Sequence, residues 1–126
     1  MMVDVSDLVG ARFKPHGRSK EEGFDCYGLA IEVERRAGKN LPDAFYDGVD
    51  ADSNRNTLSV LENGLPLENL DEPEDFCIVK MNESTRPHCG VYVGGGNVIH
   101  ATQRLGVVIQ KISRLHIDGY YRIVEK

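Results

Sequence analysis

The chain has 126 residues and a mass of 14.0 kDa, which is the size of one compact domain. It carries 15 basic and 20 acidic residues, a net charge of −5, and no block of Lys or Arg, which argues against nucleic acid held through its phosphates. No apolar run approaches the ~20 residues that cross a bilayer, so no membrane insertion is expected. The acidic start lacks the pattern of a signal peptide, which predicts synthesis in the cytoplasm.

A helix is predicted after a polar start that reads mostly as loop. From Asp25 to Ala37 the apolar residues recur at helical spacing. Asp25 suits the N-cap of this helix, and Gly38 suits its C-terminal end. The charged residues of the segment are expected mostly to face away from the core: Glu32, Glu34, Arg35 and Arg36.

The next stretch, residues 40–75, is rich in Asp, Asn, Pro and Gly. A short helix over Ser53–Asn63 is the only element predicted there. A connection of this length is either a functional surface loop or an insertion specific to this protein.

An antiparallel sheet is predicted for the C-terminal part of the chain, where short apolar runs alternate with turn residues. The runs are Phe76–Met81, Cys89–Val93, Val98–Ala101, Val107–Ile112 and Tyr120–Val124. A helix followed by strands indicates an α+β fold in which the helix packs on one face of the sheet.

Cys26 lies in the first turn of the predicted helix. There the backbone N–H groups and the helix dipole stabilise a thiolate and lower the pKa of the thiol. By its position alone, Cys26 fits the start of the apolar stripe at least as well as a reactive group. Two histidines later in the sequence favour the reactive role over the structural one.

His88 and His100 lie on the two sides of Gly94–Gly96, which must form the turn between two strands. A three-residue loop pairs Val93 with Asn97 and places both histidines on one face, as diagonal neighbours within side-chain reach. A two-residue turn would place them on opposite faces. A thiol beside two imidazoles forms a set of nucleophile, base and orienting group, in which His88 takes the proton of Cys26.

A metal site is the rival use of the same residues. Strand alternation sends the side chains of His88 and Cys89 to opposite faces, and the sequence has no CxxC or HxxxH spacing. We therefore predict no metal and no other cofactor. The remaining cysteines and histidines are expected to be small core residues and surface residues, respectively: Cys77 and Cys89, His16 and His116.

Two segments resemble motifs of the NlpC/P60 cysteine peptidases. Gly23–Leu29, GFDCYGL, is similar to the family's G-F-D-C-S-G-L. His88–Ala101 is similar to its H-x-G-[IV]-Y-[ILV]-G-x-G segment followed by [IL]-H-A, with the same step between the histidines. Within the family, the segments at Gly17–Leu29, Leu41-Pro42 and Gly119–Arg122 look like those of phage and prophage tail-associated members.

The resemblance implies a papain-like NlpC/P60 fold, with the nucleophile-bearing helix on a five- to six-stranded antiparallel sheet. The whole chain, 1–126, would be a single catalytic domain, with 42–75 as a variable insertion or loop region. By resemblance, Cys26 is the nucleophile, His88 the base and His100 the third, polar member. The implied reaction is hydrolysis of peptidoglycan stem peptides at the bond between D-γ-glutamate and diaminopimelate or lysine.

Three residues near the cysteine are candidates for substrate binding. Asp25 either caps the helix or binds a free amino group of the substrate, and the two roles are compatible. Arg18 either pairs with a substrate carboxylate or is solvated at the surface. Tyr27 is the aromatic residue that directly follows the cysteine, as is common in the tail-associated members.

One family feature is absent, because Phe13 and Lys14 stand where a tyrosine commonly precedes the cysteine by about a dozen residues. Three hypotheses follow. The first is a tail-associated hydrolase that acts on the cell wall from a virion, with tail proteins as partners. The second is a tail-assembly or binding protein with little hydrolysis, and the third is an acyltransferase or amidase with the same Cys–His machinery.

Overall fold

The single α-helix among the described residues begins at the cysteine motif. The computed structural model describes residues 3–41, 67–83 and 86–124, and within them α1 spans Cys26–Arg36. The extended residue Asp25 caps this helix by accepting a hydrogen bond from the Gly28 N–H at 2.6 Å. Gly38 follows in the left-handed region at φ 83°, so the predicted helix and both of its end signals are confirmed.

Among the described residues, the strands are β1 Arg18–Ser19, β2 Gly23–Phe24, β3 Leu67–Leu70, β4 Ile78–Glu83, β5 Arg86–Gly94, β6 Asn97–Thr102, β7 Gly106–Lys111 and β8 His116–Ile123. Six of them form one antiparallel sheet in the order β3-β8-β4-β5-β6-β7, and β1 and β2 form a small hairpin before α1. Short 3-10 turns cover Ser6–Leu8 and Ile112–Arg114. The predicted α+β architecture, a helix on a six-stranded antiparallel sheet, is confirmed.

Both faces of the sheet carry buried side chains. On one face α1 contributes Leu29 and Val33 to a core that includes Val91 and Ile99. On the other face a smaller cluster packs under the connection from β7 to β8. Its buried members are Cys77, Val79, Met81 and Val98.

Three strands were not predicted, the short β1 and β2 in the polar start and β3 in 40–75, and the ends of other strands differ from the prediction. Residues 67–70 form β3, which pairs with β8, so the prediction of a helix as the only element in 40–75 is wrong. The helix predicted over Ser53–Asn63 lies outside the described residues. Phe76 has a left-handed φ of 65° and does not start a strand, and β8 begins four residues before Tyr120.

Glu34 was expected to face away from the core and is instead fully buried. It follows the buried Ala30 by four residues, so both side chains lie on the same face of α1. The buried face of α1 is therefore wider than its apolar residues alone indicate.

The turn between β5 and β6 differs from the predicted three-residue loop. Gly94 pairs with Asn97 across a two-residue turn, Gly95-Gly96, whose residues both have positive φ as such a turn requires. A β-bulge then makes Val93 an extra residue and restores the predicted register, with Val91 opposite Ile99. The bulge thus keeps the two histidines on the same face despite the even turn.

Among the described residues, no helix has the length and apolar composition needed to cross a bilayer.

Candidate active site

Asp25 fixes the start of α1, where the cysteine lies. Besides the Gly28 N–H, its carboxylate accepts from Arg18 Nη1 at 2.9 Å and from the His16 backbone N–H at 3.1 Å. The Asp25 side chain is almost completely buried, so these three donors replace the water it would otherwise bind. The expected cap is confirmed, and the Arg18 guanidinium is engaged in an ion pair with Asp25.

Cys26, the first residue of α1, is buried, yet its thiol ionises readily. A hydrogen bond from Cys89 lowers the pKa of Cys26, and a hydrogen bond and the positive charge of His88 lower it further, to about 6, against the opposing effect of burial. The pKa of Cys89 is correspondingly raised, first by this hydrogen bond and then by its own burial. This lowered pKa favours the thiolate of Cys26 at neutral pH, which is the reactive form.

Cys89 is a buried core residue, as expected, but it also serves the site. Strand alternation turns its side chain toward α1, while His88 lies directly opposite Met81 of the other core cluster. The two neighbours on β5 therefore approach Cys26 from opposite faces of the sheet, at the end where β5 begins.

His88 and His100 are in direct contact. Their Nε2 and Nδ1 atoms, respectively, are 2.8 Å apart, and both side chains are buried. The His100 Nε2 lies 2.6 Å from the side-chain oxygen of Gln110 on β7. Burial, and then the neighbouring charge of His88, lower the pKa of His100 to about 4, so that His100 is neutral at pH 7.

This hydrogen-bond chain fixes the tautomers of both rings. The Gln110 oxygen can only accept, so the Nε2 of His100 carries the proton and its Nδ1 accepts from His88 Nε2. The Nδ1 of His88 is then the nitrogen that faces Cys26, where it takes the proton of the thiol and then donates a hydrogen bond back to the thiolate. A base with this orientation can take a proton from the sulfur.

Sequence reasoning missed Gln110. It lies two residues beyond Val108, the direct partner of His100 on β7, and therefore shares a face with both. A polar side chain on the same strand face as the apolar Val108 was the available signal, but the register between β6 and β7 had to be known to use it.

A cleft of about 410 Å³ opens beside the two histidines, at the end of the sheet where β5 begins and β6 ends. Its walls combine the histidine pair and Gln110 with aliphatic and basic side chains. They are formed by Met81, His88, His100, Thr102, Arg104, Leu105, Gln110, Arg114, Leu115 and His116. Cys26 is not part of this wall, since it meets His88 from the side of α1.

The other candidate residues occupy different environments. The Tyr27 ring is fully buried, and the Arg18 guanidinium lies 6.0 Å from its centre, so as a substrate contact Tyr27 stays a prediction. Cys77 is buried as expected, while His116, expected at the surface, is exposed and borders the cleft. Within the described part of the chain, no group of His, Cys, Asp and Glu is arranged to hold a metal ion.

The sequence and the fold of this chain are similar to those of known proteins. The sequence model of the NlpC/P60 family matches residues 10–125. Gamma-DL-glutamyl hydrolase of Bacillus subtilis (strain 168) is 30% identical over 112 residues, which cover 86% of this chain and 24% of that protein. Murein DD-endopeptidase MepS/Murein LD-carboxypeptidase of Escherichia coli (strain K12) is 25% identical over 114 residues, 90% of this chain and 54% of that protein.

The fold is also found in a solved structure, the NlpC/p60 domain of peptidoglycan hydrolase SagA, with a TM-score of 0.64 and 16% identity. The match covers 94% of this chain and 92% of that one. The chain spans about a quarter and about half of the two curated relatives. Since the family match extends over nearly its whole length, this chain belongs to the NlpC/P60 family.

Proposed function

We propose that this chain is a cysteine peptidase that hydrolyses peptidoglycan stem peptides at the bond between D-γ-glutamate and the following diamino acid. The observation that carries the proposal is the oriented chain Gln110–His100–His88 beside the ionised thiol of Cys26. The names of relatives that act on γ-glutamyl bonds and on murein support the choice of substrate.

In this proposal the Cys26 thiolate attacks the γ-carbonyl carbon of the glutamate and forms a tetrahedral oxyanion. The N–H of Cys26, in the first turn of α1, is a suitable donor to that oxyanion, and such donors contribute about 3–4 kcal/mol in the transition state. The C–N bond then breaks as His88 protonates the departing amine, which leaves a thioester on Cys26. Water, deprotonated by His88, hydrolyses the thioester and restores the thiolate.

His100 and Gln110 act as positioning residues. They hold the His88 ring with its Nε2–H toward His100 and its Nδ1 toward Cys26, and the neutral state of His100 keeps a second positive charge away from the His88 imidazolium. Asp25 fixes the backbone that carries Cys26 through its cap and its ion pair with Arg18.

Mass spectrometry of defined stem peptides incubated with the wild type and with Cys26→Ala tests the proposal. Cleavage directly after γ-D-glutamate by the wild type alone is the expected result. Cleavage at another bond would change the proposed reaction, and equal cleavage by Cys26→Ala would remove Cys26 as the nucleophile. An acyltransferase would instead yield a product joined to an added amine.

We further propose that the chain acts from a phage or prophage tail, because the segments Gly17–Leu29 and Gly119–Arg122 look like those of tail-associated family members. Proteomic analysis of purified particles from the source cells would test this location. Detection in stoichiometric amounts with tail proteins is expected, and absence from tail-containing particles would contradict it. A tail-assembly protein without hydrolysis would be found there but would fail the stem-peptide assay.

A further inference from the structure

The cleft beside the histidine pair is basic in a chain that is acidic overall. The net charge of the protein is −5, yet the residues that the structure describes in the cleft wall include no Asp or Glu. It contains Arg104 on the turn between β6 and β7, and Arg114 at the end of the 3-10 turn before β8. Two guanidinium groups in one concave site attract anions, and their planar donor groups match a carboxylate.

These two arginines differ from the others that the structure describes. Arg18, Arg35, Arg36 and Arg122 each form an ion pair with Asp or Glu, and Arg12 donates to the carbonyl of Glu22. Arg104 and Arg114 are exposed and make no hydrogen bond or ion pair with any part of the chain that the structure describes. Their charges are therefore available to a ligand.

The rest of the cleft suits a short aliphatic chain. Met81 and Leu115 contribute apolar surface, and Leu105, on the same turn as Arg104, has 67% of its surface exposed. An exposed leucine beside an unpaired arginine offers contact both to methylene groups and to a terminal carboxylate. An acidic aliphatic side chain has this combination of groups.

The position of His88 indicates which part of the substrate enters the cleft. A general acid must lie within hydrogen-bond distance of the atom that it protonates, here the departing amine nitrogen. The Nδ1 of His88 faces Cys26, and the same ring lines the cleft. We therefore place the residue on the amine side of the broken bond beside this ring, with its side chain extending into the cleft. This step rests on the function proposed above.

We propose that Arg104 and Arg114 bind the side-chain carboxylate of the amine-side residue, so that the enzyme selects diaminopimelate over lysine. The two diamino acids differ only in one carboxylate, which diaminopimelate carries on the carbon next to its distal amino group. The contact is made at the far end of that side chain, away from the broken bond, and it acts mainly on substrate binding.

Matched tetrapeptides with diaminopimelate or lysine at the third position test this proposal. The wild type is expected to favour the diaminopimelate peptide by roughly tenfold in kcat/KM, mainly through KM, as for loss of one charge-assisted hydrogen bond. The double variant Arg104→Gln/Arg114→Gln is expected to lose most of this preference. Arg35→Gln, an exposed arginine on α1, is the matched control and keeps the preference.

Two results would overturn the proposal: equal kcat/KM for both peptides in the wild type, or an unchanged preference in a folded double variant. Failure of the wild type to cleave either peptide would instead contradict the proposed function. In that case calorimetric titration of the wild type with both peptides still tests the cleft. Equal affinities would then overturn the carboxylate site, whereas tighter binding of the diaminopimelate peptide, lost in the double variant, would support it.

Discussion

The buried polar groups at the two ends of α1 differ in their hydrogen-bond partners. At the N-terminal end, the Asp25 carboxylate has three donors, and the Cys26 sulfur receives hydrogen bonds from Cys89 and His88. Two turns later the Glu34 side chain is fully buried, and neither of its carboxylate oxygens has a hydrogen-bond partner among the described residues. The same helix thus stabilises a negative charge at one end and suppresses one at the other.

Burial without partners raises the pKa of Glu34 to about 8, and the nearby charge of Lys39 offsets only part of this effect. At neutral pH the carboxyl group is therefore mostly protonated. The difference from Cys26 teaches that burial alone does not determine ionisation. The donors that surround a buried group decide whether its charged or its neutral form is favoured.

Removing the sulfur tests the end of α1 that stabilises charge, and has the largest expected effect. Cys26→Ala should lower kcat by at least ~10³-fold, because the residual hydrogen bonds cannot replace a covalent nucleophile. Turnover of a stem peptide and thermal unfolding measure activity and fold, respectively. Cys77→Ala, at a buried cysteine on the opposite face of the sheet, is the control and should remain active. Full activity in Cys26→Ala would contradict the assignment.

Glu34→Gln tests the other end. The folded pKa of Glu34 lies above its unfolded value, so wild-type stability is greatest below the unfolded pKa of 4.5 and falls as the pH rises toward about 8. Glu34→Gln has no carboxyl group to ionise at this position and lacks this loss. Its free energy of unfolding, relative to that of the wild type, should therefore increase by about 3 kcal/mol between pH 4 and pH 7. Urea unfolding at several pH values measures the difference.

Glu32→Gln is the matched control on the same helix. Hydrogen bonds from Arg35 and then Arg36 lower the pKa of Glu32, so its contribution is present above the unfolded pKa and is lost as the pH falls through the folded one. The difference in unfolding free energy between Glu32→Gln and the wild type should therefore change with pH in the direction opposite to that for Glu34→Gln. If the stability of Glu34→Gln and of the wild type instead changes with pH in parallel, folding does not raise the pKa of Glu34.

Gln110→Leu should reduce kcat/KM roughly tenfold, because it removes the acceptor that fixes the His100 tautomer. Gln110→Glu keeps an acceptor at this position and should retain more activity. Nitrogen NMR of the histidine rings gives a second readout, in which His100 loses its Nε2–H tautomer in the leucine variant. An unchanged tautomer with unchanged activity would exclude Gln110 from the positioning chain.

Cys89→Ala has the smallest expected effect, a shift in the pH dependence of thiol reactivity. Loss of the hydrogen bond from Cys89 should raise the pKa of Cys26 above about 6, and the midpoint of its alkylation by iodoacetamide should move up with it. Cys89→Ser keeps a donor and should restore the lower midpoint. Identical midpoints in the wild type and Cys89→Ala would mean that His88 alone supports the thiolate.

The sequence predicted the parts of the site that follow from local pattern and parity. The capped helix placed Cys26. The predicted register correctly placed His88 and His100 on one face, but an unpredicted bulge at Val93, and not a three-residue turn, maintains that register. Gln110 and β3 could not be predicted, because each depends on pairing between segments whose register has no local signal. The burial of Glu34 was missed for another reason: a charged residue on the apolar face of a helix breaks the pattern from which faces are assigned.

The bulge at Val93 has a consequence for how relatives of this chain can vary. A hairpin that lost the bulge and gained one turn residue would have the same number of residues between its histidines and the same pairing. Evolution can therefore exchange one turn geometry for the other without a net insertion, as long as the substitutions suit the new backbone. In an alignment of such sequences, glycines would shift within the turn while the spacing of the histidines stayed constant.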